Sequence, residues 1–509
     1  MKILKLTYSE ILKQTKKLSF KVCLIILLAF AIGIPVLFKA LSQDEYSNQI
    51  YYEEDLSYYE NSVMENPKTD EEQLENKLNE VMIDIIKMSF AKEKNKEATD
   101  FKTSLYDEYR NYKMTAVVLE YMIEGKTIDY VKIDEEFNLN SESYKGIELA
   151  ELSEIRDNLL LKAEETVKII DKNDYTYYLN EQLENLKNSE SSEVNDNLIK
   201  VYEKLIQLNI TDESDFRINE ANSIIENYNQ KEIPMTKHEY KDQKSKISYD
   251  DYLKLTSIKN KELDDSIAKS WYAIEHNINY NKEGAKSAFN DSIQNNTVFL
   301  SIIIVIIAGG IVANEFQKGT IRLLVIRPNK RWKILLSKFL AIISIIIVLA
   351  LITYIASFVT NGLLFGFKDY FIPDLAVKGA SVAEVSYILN SIIKLGILLI
   401  PIVFVGLIAF ALSAITKNTA LSVGVSIFLL VGYSLIIMMM VLIEMPFIDL
   451  TFLPYLEYVQ FTDPLSLVNS CYSYDIYYTF KQANIVLLIW AILIYALTNY
   501  IFIKRDIKN

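Results

Sequence analysis

The sequence contains very little cysteine and histidine. Among its 509 residues there are two cysteines, Cys23 and Cys471, and two histidines, His238 and His276. Two distant thiols exclude a disulfide framework and a CxxC metal motif. Two isolated histidines do not supply the convergent ligands that a metal centre needs. We therefore expect no metal site in this chain.

Glycine and proline are also scarce, with 14 and 9 residues. So few turn-forming residues favour long helices over an all-β or loop-rich fold. The nucleotide-binding pattern GxxxxGK[ST] and the hydrolase patterns GxSxG and HExxH do not occur in the sequence. We predict that the chain is not an enzyme, has no catalytic residues and binds no cofactor of its own.

Negative charge is in excess, but only in one part of the chain. The net charge is −13, which argues against a nucleic-acid-binding protein. Residues 42–296 contain 55 Asp/Glu and 31 Lys/Arg, a net charge of −24, whereas the remaining residues have a net charge of +11. Because the mean hydropathy of the chain is +0.12, the sequence predicts an acidic, soluble block inserted into a basic, apolar frame.

The apolar frame contains six segments that are long enough, or nearly so, to cross a bilayer as helices. We place them at 22–41, at 297–313 and, for the third to the sixth, within 339–503, with loops at 362–387 and 444–484. The predicted fold class is therefore an all-α membrane protein with six transmembrane helices. A large extracellular helical domain, residues 42–296, is inserted between the first and the second.

The distribution of lysine and arginine predicts the orientation of these helices. The segments 1–21, 314–338, 416–419 and 504–509 together contain 17 Lys/Arg and 3 Asp/Glu. Because basic connections remain on the cytoplasmic side, we expect both termini, including the tail 504–509, in the cytoplasm. The Lys-, Asn-, Ile- and Tyr-rich composition is typical of an AT-rich bacterial genome, so the expected location is a bacterial plasma membrane. A cleaved signal peptide is the alternative for the first segment.

Residues 1–21 precede the first membrane segment and have a helical pattern. Their apolar residues, such as Leu4 and Leu12, alternate with lysines at near-helical spacing. We predict a cytoplasmic amphipathic helix that lies on the inner leaflet, so the lipid bilayer is a partner of this segment too.

The acidic block has apolar residues at helical spacing and only three glycines. Its periodicity predicts helices over 69–124, 147–188, 194–209, 212–231 and 249–295. Thr69, Thr211 and Ser248 precede acidic first turns and are candidate N-caps. We expect the last of these helices to continue directly into the second membrane segment.

The most specific pattern lies between the second and third membrane segments. It contains an acidic residue, Gly-Thr, an arginine, paired leucines, a proline, a second arginine and a lysine that opens the next membrane segment. These residues are Glu315, Gly319, Thr320, Arg322, Leu323, Leu324, Pro328, Arg331 and Lys338. The pattern resembles the first cytoplasmic loop of ABC transporter permeases of the type-2 exporter family. The amphipathic lead-in and the six crossings are similar to that family as well, whereas the acidic block is not.

The resemblance implies a function and a set of partners. It makes the chain the permease subunit of an ATP-driven exporter, with 314–338 as the loop that couples it to a separate ATPase subunit. That subunit would bind ATP and Mg²⁺, and a second permease subunit would complete a homo- or heterodimer. The family also has short re-entrant helices before the last crossing, which makes prolines of loop 444–484 candidates for an outer gate. They are Pro446, Pro454 and Pro464.

Other functions remain open. The 255-residue insert is larger than the first outer loop of typical family members. The chain could instead be an extracellular scaffold or receptor on a permease-like membrane frame, of the phage-infection-protein or secretion-accessory type, without ATP coupling. Mechanotransmission permeases of the macrolide-exporter type also have a large domain after the first crossing, but they have four crossings. A secondary transporter is disfavoured because the pattern lacks paired broken helices and buried charges.

Overall fold

The chain divides into two compact units in the computed structural model. The structure describes residues 2–41, 46–93, 100–172, 175–189, 192–243, 245–320, 330–379, 381–445 and 447–504. The membrane unit consists of Met1–Ala40 and Asn222–Asn509, and the inserted unit consists of Leu41–Ala221. The structure is 80% helical, as the all-α prediction requires.

The helices have the following bounds in chain order. They are α1 (Lys2–Thr15), α2 (Leu18–Leu41), α3 (Tyr46–Ser62), α4 (Asp70–Lys92), α5 (Asp100–Ile123), α6 (Tyr130–Phe137), α7 (Leu149–Lys172), α8 (Thr176–Asn188), α9 (Glu193–Gln207), α10 (Phe216–Asn229), α11 (Lys237–Lys241), α12 (Tyr249–His276), α13 (Ala285–Ile311), α14 (Ala313–Gln317), α15 (Arg331–Phe365), α16 (Tyr387–Thr416), α17 (Thr419–Leu442), α18 (Pro464–Tyr474) and α19 (Phe480–Lys504). Two strands, β1 (Asp374–Lys378) and β2 (Ser381–Val385), pair as an antiparallel hairpin in the connection between α15 and α16.

Six helices of the described residues are long and apolar enough to cross a membrane, which confirms the predicted number. They span Leu18–Ala40, Ala285–Gln317, Arg331–Phe365, Tyr387–Thr416, Thr419–Leu442 and Phe480–Lys504. The second and third begin earlier than the sequence analysis placed them. The predicted loop 314–338 is correspondingly shorter, because α14 occupies its start and α15 its end.

Helix α13 lies at the centre of the membrane unit and packs against α15, α16 and α17. A Cβ atom at Gly309 would lie 2.7 Å from Val423 Cγ2, so glycine permits the close approach of α13 and α17. Farther along α13, the amide of Asn296 donates a hydrogen bond of 2.7 Å to the Ser357 hydroxyl on α15. Glycine and short polar side chains thus join the central helix to its neighbours.

Helix α12 does not continue into α13, so the prediction of one helix over 249–295 is wrong. Ser248 caps the start of α12 as predicted, and Asn277 ends it in the left-handed region with φ = 55°. Helix α13 begins only after Gly284. Asp369 accepts a hydrogen bond of 3.2 Å from the backbone amide of Ala285, which fixes the new start.

The inserted unit has its own core. Helices α4, α5 and α6 contribute buried apolar side chains, namely Leu74, Leu78, Met114, Val118, Tyr121, Tyr130, Ile133 and Phe137. Thr69 caps α4 in a capping box with Glu72, as predicted. The prediction for Thr211 is wrong, because α10 begins only at Phe216. The long helices predicted over 69–124 and 147–188 are each divided into two.

The boundary between the two units coincides with a change in charge. The inserted unit, Leu41–Ala221, has 43 Asp/Glu and 20 Lys/Arg, a net charge of −23. Residues 222–296 have 12 Asp/Glu and 11 Lys/Arg, so they are almost neutral. The domain predicted over 42–296 is therefore divided at Ala221, and its last part belongs to the membrane unit.

Candidate functional site

One end of the membrane helices collects the lysine- and arginine-rich connections, and we call it the basic end. It contains the starts of α2, α15 and α17 and the ends of α14, α16 and α19. Thr419 Oγ1 donates a hydrogen bond of 3.0 Å to Asn314 Oδ1, which joins α17 to α14. Arg331 Nη1 donates one of 2.9 Å to the carbonyl of Ile503, which joins α15 to α19.

Helix α1 packs along α15 at the basic end. The side of α1 that is buried there is polar, with Thr7, Glu10 and Gln14 at exposed fractions of 6%, 7% and 3%. These residues are three and four positions apart, so they form one stripe of the helix. The most buried residues of the amphipathic helix predicted over 1–21 are therefore polar, and its apolar residues Ile3, Leu6 and Ile11 are half-buried.

The centre of this contact is the ammonium group of Lys338, which is fully buried in the third turn of α15. Lys338 Nζ lies 2.9 Å from Glu10 Oε2 and 2.7 Å from Glu315 Oε1. Lys13 of α1 forms a further ion pair with Glu315. Three buried charged side chains from α1, α14 and α15, with the exposed Lys13 at their edge, thus form one network, which we call the buried ion cluster.

An interruption of the helix between Ile311 and Ala313 places Glu315 in this cluster. Helix α13 ends at Ile311, and the hydroxyl of Ser413 on α16 accepts hydrogen bonds from the amides of Val312 and Ala313, at 3.3 and 2.9 Å. The short helix α14 follows at once and carries Glu315 on its buried side, with an exposed fraction of 4%. The acidic residue of the sequence pattern is therefore positioned by the neighbouring membrane helix.

Burial makes the cluster stable only as a whole. Removing an ion from water costs several kcal/mol, which close partners of opposite sign must offset. Glu315 Oε2 and Gln14 Nε2 are buried without a hydrogen-bond partner among the described residues. Just outside the cluster, burial, followed by the charges of Lys13 and Lys338, lowers the pKa of Lys17. Because Glu315 of α14 pairs with Lys13 of α1 and Lys338 of α15, a movement of α14 would also displace those two helices.

The structure brings together two residues of the predicted coupling loop, Glu315 and Lys338. Gly319 and Thr320 follow α14 as an exposed turn, in which Gly319 has φ = 67°. Arg331 lies at the start of α15 and donates a hydrogen bond to a carbonyl of α19. The remaining predicted residues, Arg322, Leu323, Leu324 and Pro328, lie outside the described residues.

The sequence analysis missed Glu10 and Lys13. Glu10 is the single acidic residue among the first 21, where it stands against six lysines. A lone carboxylate in such a basic amphipathic helix is a signal for a buried partner, but its partner Lys338 is 328 residues away in the sequence. Pairing over that distance is visible only in the fold.

Two of the three prolines predicted for an outer gate, Pro454 and Pro464, lie among the described residues. Pro454 is buried in a short 3₁₀ turn, Leu453–Tyr455. Pro464 is exposed at the first position of α18, where Asp463 accepts hydrogen bonds from the next amides. Pro446 lies outside the described residues. Whether the segment 444–484 is re-entrant stays a prediction.

A polar cleft of about 310 Å³ lies beside the segment 444–484. Its charged lining residues are Lys246, Asp251, Asp449 and Asp475. Asp475 accepts hydrogen bonds from the Ser245 hydroxyl and the Lys246 amide, so its carboxylate is already engaged. Among the described residues, no group of three or more His, Cys, Asp or Glu side chains could hold a metal ion.

Comparison with known proteins matches part of the chain to a family. Residues 254–508, half of the chain, match the family described as "Protein of unknown function (DUF2705)". The "Uncharacterized protein YhcI" of Bacillus subtilis (strain 168) is 30% identical over 257 residues, which cover 48% of this chain and 76% of that protein. The "Uncharacterized membrane protein YdbK" of the same organism is 29% identical over 147 residues, which cover 29% of this chain and 55% of that protein. This chain is a multi-pass membrane protein that belongs to the DUF2705 family.

Proposed function

We propose that this chain is the membrane-spanning permease subunit of an ATP-driven ABC exporter. A separate subunit binds Mg²⁺ and hydrolyses ATP, and this chain couples that reaction to the export of a substrate. A second permease subunit, identical or different, pairs with it in the membrane. The proposed orientation has the basic end and both termini in the cytoplasm of a bacterial cell and the inserted unit outside.

The observation that carries the proposal is the buried ion cluster. It joins the amphipathic lead-in to the connection after the second membrane helix, and these are the two segments that contact the ATPase subunit in the type-2 exporter family. Glu315 and Lys338, which were selected by their resemblance to that family, are 2.7 Å apart. A loop that moved independently of α1 would not need a fully buried lysine that pairs with acidic residues of both segments.

The proposed mechanism follows from the connection of the cluster to the surface. Gly319 lies in an exposed turn that directly follows α14, so a partner that binds the turn displaces α14. Because Glu315 of α14 holds Lys338 and Lys13, the displacement reaches α15 and α1. ATP binding would thus shift the population between two arrangements of the membrane helices.

The second candidate, an extracellular scaffold or receptor without ATP coupling, is favoured by the inserted unit. This unit is compact, has its own core and lies outside the residues that match the family. A scaffold would need such a domain and no ATPase. The two candidates differ in whether an ATPase binds at the basic end.

The test is to purify the tagged chain from bacterial membranes in mild detergent and to identify bound proteins by mass spectrometry. We expect a protein with a GxxxxGK[ST] motif to co-purify. Gly319→Asp should reduce its retention about tenfold or more, because it adds charge and bulk to the proposed docking turn.

Gly379→Asp is the matched control. Gly379 is exposed, has φ = 66° against 67° for Gly319, and a Cβ at either position meets nothing within 4 Å. It lies in the β-hairpin turn at the other end of α15, so this variant should retain the ATPase. Equal retention by both variants would contradict the docking turn, and the failure of any ATPase to co-purify would favour the scaffold.

A further inference from the structure

Helix α1 has an apolar face that no part of the described chain covers. Leu4, Tyr8 and Leu12 are spaced by four residues and have exposed fractions of 71%, 63% and 40%. At about 100° per residue they lie on one side of the helix, away from the buried stripe that contains Glu10. In an aqueous environment such a face would be costly.

A basic face adjoins the apolar face. Lys5 and Lys16 are exposed, and helical spacing places both next to Leu12 and on the far side from Glu10. Helix α1 is therefore divided lengthwise into a face toward α15, an apolar face and a basic face. This division is typical of helices that lie in the interface of a bilayer.

The position of α1 brings these faces to the membrane surface. Helix α1 ends at Thr15 and α2, a membrane-spanning helix, begins at Leu18. A connection this short spans about 10 Å at most. Leu18 and Ile25 continue the exposed apolar surface along α2, with exposed fractions of 76% and 66%. The apolar face of α1 is therefore next to the surface that meets the acyl chains.

We propose that α1 is a binding surface for an anionic leaflet of the bilayer. The Leu4–Tyr8–Leu12 face inserts among the acyl chains, and Lys5 and Lys16 contact anionic headgroups. A bilayer is the occupant because both faces are complementary to it, the apolar one to lipid tails and the basic one to phosphate. This inference does not rest on ATP coupling.

The same helix carries Glu10, which links lipid binding to the buried ion cluster. Headgroups that hold Lys5 and Lys16 also hold Glu10 in place against Lys338. The charge of the leaflet would thus influence how firmly α1 stays packed on α15.

The test measures which lipids surround α1 in the full-length chain. A bimane label at Tyr8→Cys replaces one exposed aromatic group with another, and the native Cys23 and Cys471 are buried. The labelled protein is placed in phosphatidylcholine nanodiscs that contain either brominated phosphatidylglycerol or brominated phosphatidylcholine. We expect stronger quenching by the anionic lipid, and a smaller difference at high salt.

The variant Lys5→Gln with Lys16→Gln should lower the preference for the anionic lipid about fivefold per lysine removed. The control is Lys368→Gln with Lys378→Gln, two exposed lysines at the other end of α15, and it should leave the preference unchanged. Equal quenching by both lipids in the unmodified protein would overturn the headgroup contact. No quenching by either lipid would overturn the proposal and place a protein partner on this face. Because the bound ATPase is not measured, failure here is distinguishable from failure of the proposed function.

Discussion

The two units of the molecule differ in the sign of their net charge and in how far their ion pairs are buried. The inserted unit has a net charge of −23 and the membrane unit a net charge of +10. Most ion pairs of the inserted unit, such as Lys87–Glu60 and Lys187–Glu203, join side chains that are about half exposed, and Lys102–Glu93, with exposed fractions of 16% and 10%, is the most enclosed of those described. The membrane unit instead buries Lys338 with Glu10 and Glu315, so the expectation that it would lack buried charges is wrong.

This difference indicates that charged side chains stabilise the fold of the membrane unit, whereas most of those in the inserted unit contact water. Exposed ion pairs contribute between about 0 and 1 kcal/mol each, so the inserted unit depends on its apolar core. A buried charge that loses its partner costs about 3–5 kcal/mol, so the membrane unit depends on its few buried charges. Substitutions can test this contrast in order of expected effect.

The largest effect is expected for Lys338→Met. The variant leaves Glu10 and Glu315 buried without their shared cation, which should destabilise the membrane unit by about 3–5 kcal/mol. The measurement is the melting temperature of the detergent-solubilised chain, followed by circular dichroism. Lys368→Met, which removes an exposed lysine, should leave it unchanged. If both variants melt like the unmodified protein, the cluster contributes nothing to stability.

The next effect is expected for Gly309→Val in α13. Its side chain would meet Val423 on α17, and overpacking of this kind costs about 1–3 kcal/mol. Gly424→Val is the control on α17, because a Cβ there meets nothing within 4 Å. Both variants can be compared by thermal unfolding in detergent. Equal destabilisation would show that helix propensity, and not the contact between the two helices, sets the cost.

A smaller effect is expected in the inserted unit for Thr69→Ala. Loss of the capping box at the start of α4 should cost about 1 kcal/mol. Thr211→Ala is the matched control, because Thr211 is exposed and does not cap α10. Chemical unfolding that is monitored in the inserted unit distinguishes them. The cap would be unimportant if the two alanine variants unfolded at the same denaturant concentration.

The smallest effect is expected for Glu108→Gln, also in the inserted unit. Burial, with the charge of Glu181, raises the pKa of Glu108, so its ionised form is disfavoured in the folded state. The unmodified protein should therefore gain stability as pH falls through the folded pKa toward the unfolded value.

Glu108→Gln removes both the cost of burying the carboxylate and the dependence of stability on pH. It should increase the free energy of unfolding by less than about 1 kcal/mol at neutral pH. The measurement is the free energy of unfolding between pH 4 and 8. Glu184→Gln, at an exposed position of α8, should keep the pH dependence. A Glu108→Gln variant that keeps it as well would refute this role of Glu108.

The sequence predicted those features that arise from local pattern. Apolar length identified six membrane helices, and side-chain capping at Thr69 and Ser248 was confirmed because both residues act on adjacent amides. The resemblance to the exporter family selected Glu315 and Lys338, which the fold places in contact.

Features that depend on distant contacts were not predicted. The end of the inserted unit was placed at 296, directly before the second apolar segment, whereas the contacts of the folded chain end this unit at Ala221. The break before α13 depends on Asp369, which lies 84 residues after the Ala285 amide that it binds. The pairing of Glu10 with Lys338, 328 residues apart, likewise needs the folded chain.

The most direct test of the proposed coupling is the ATP hydrolysis rate of the co-purified complex in nanodiscs, expressed per bound ATPase. Lys338→Met should retain some ATPase at the Gly319 turn but lower its rate several-fold. Lys338→Arg, which keeps the charge, should lower the hydrolysis rate less, and Lys368→Met should hydrolyse ATP at the rate of the unmodified complex. If Lys338→Met binds the ATPase and hydrolyses ATP at the unmodified rate, the buried ion cluster does not transmit the motion, and the proposed coupling is wrong.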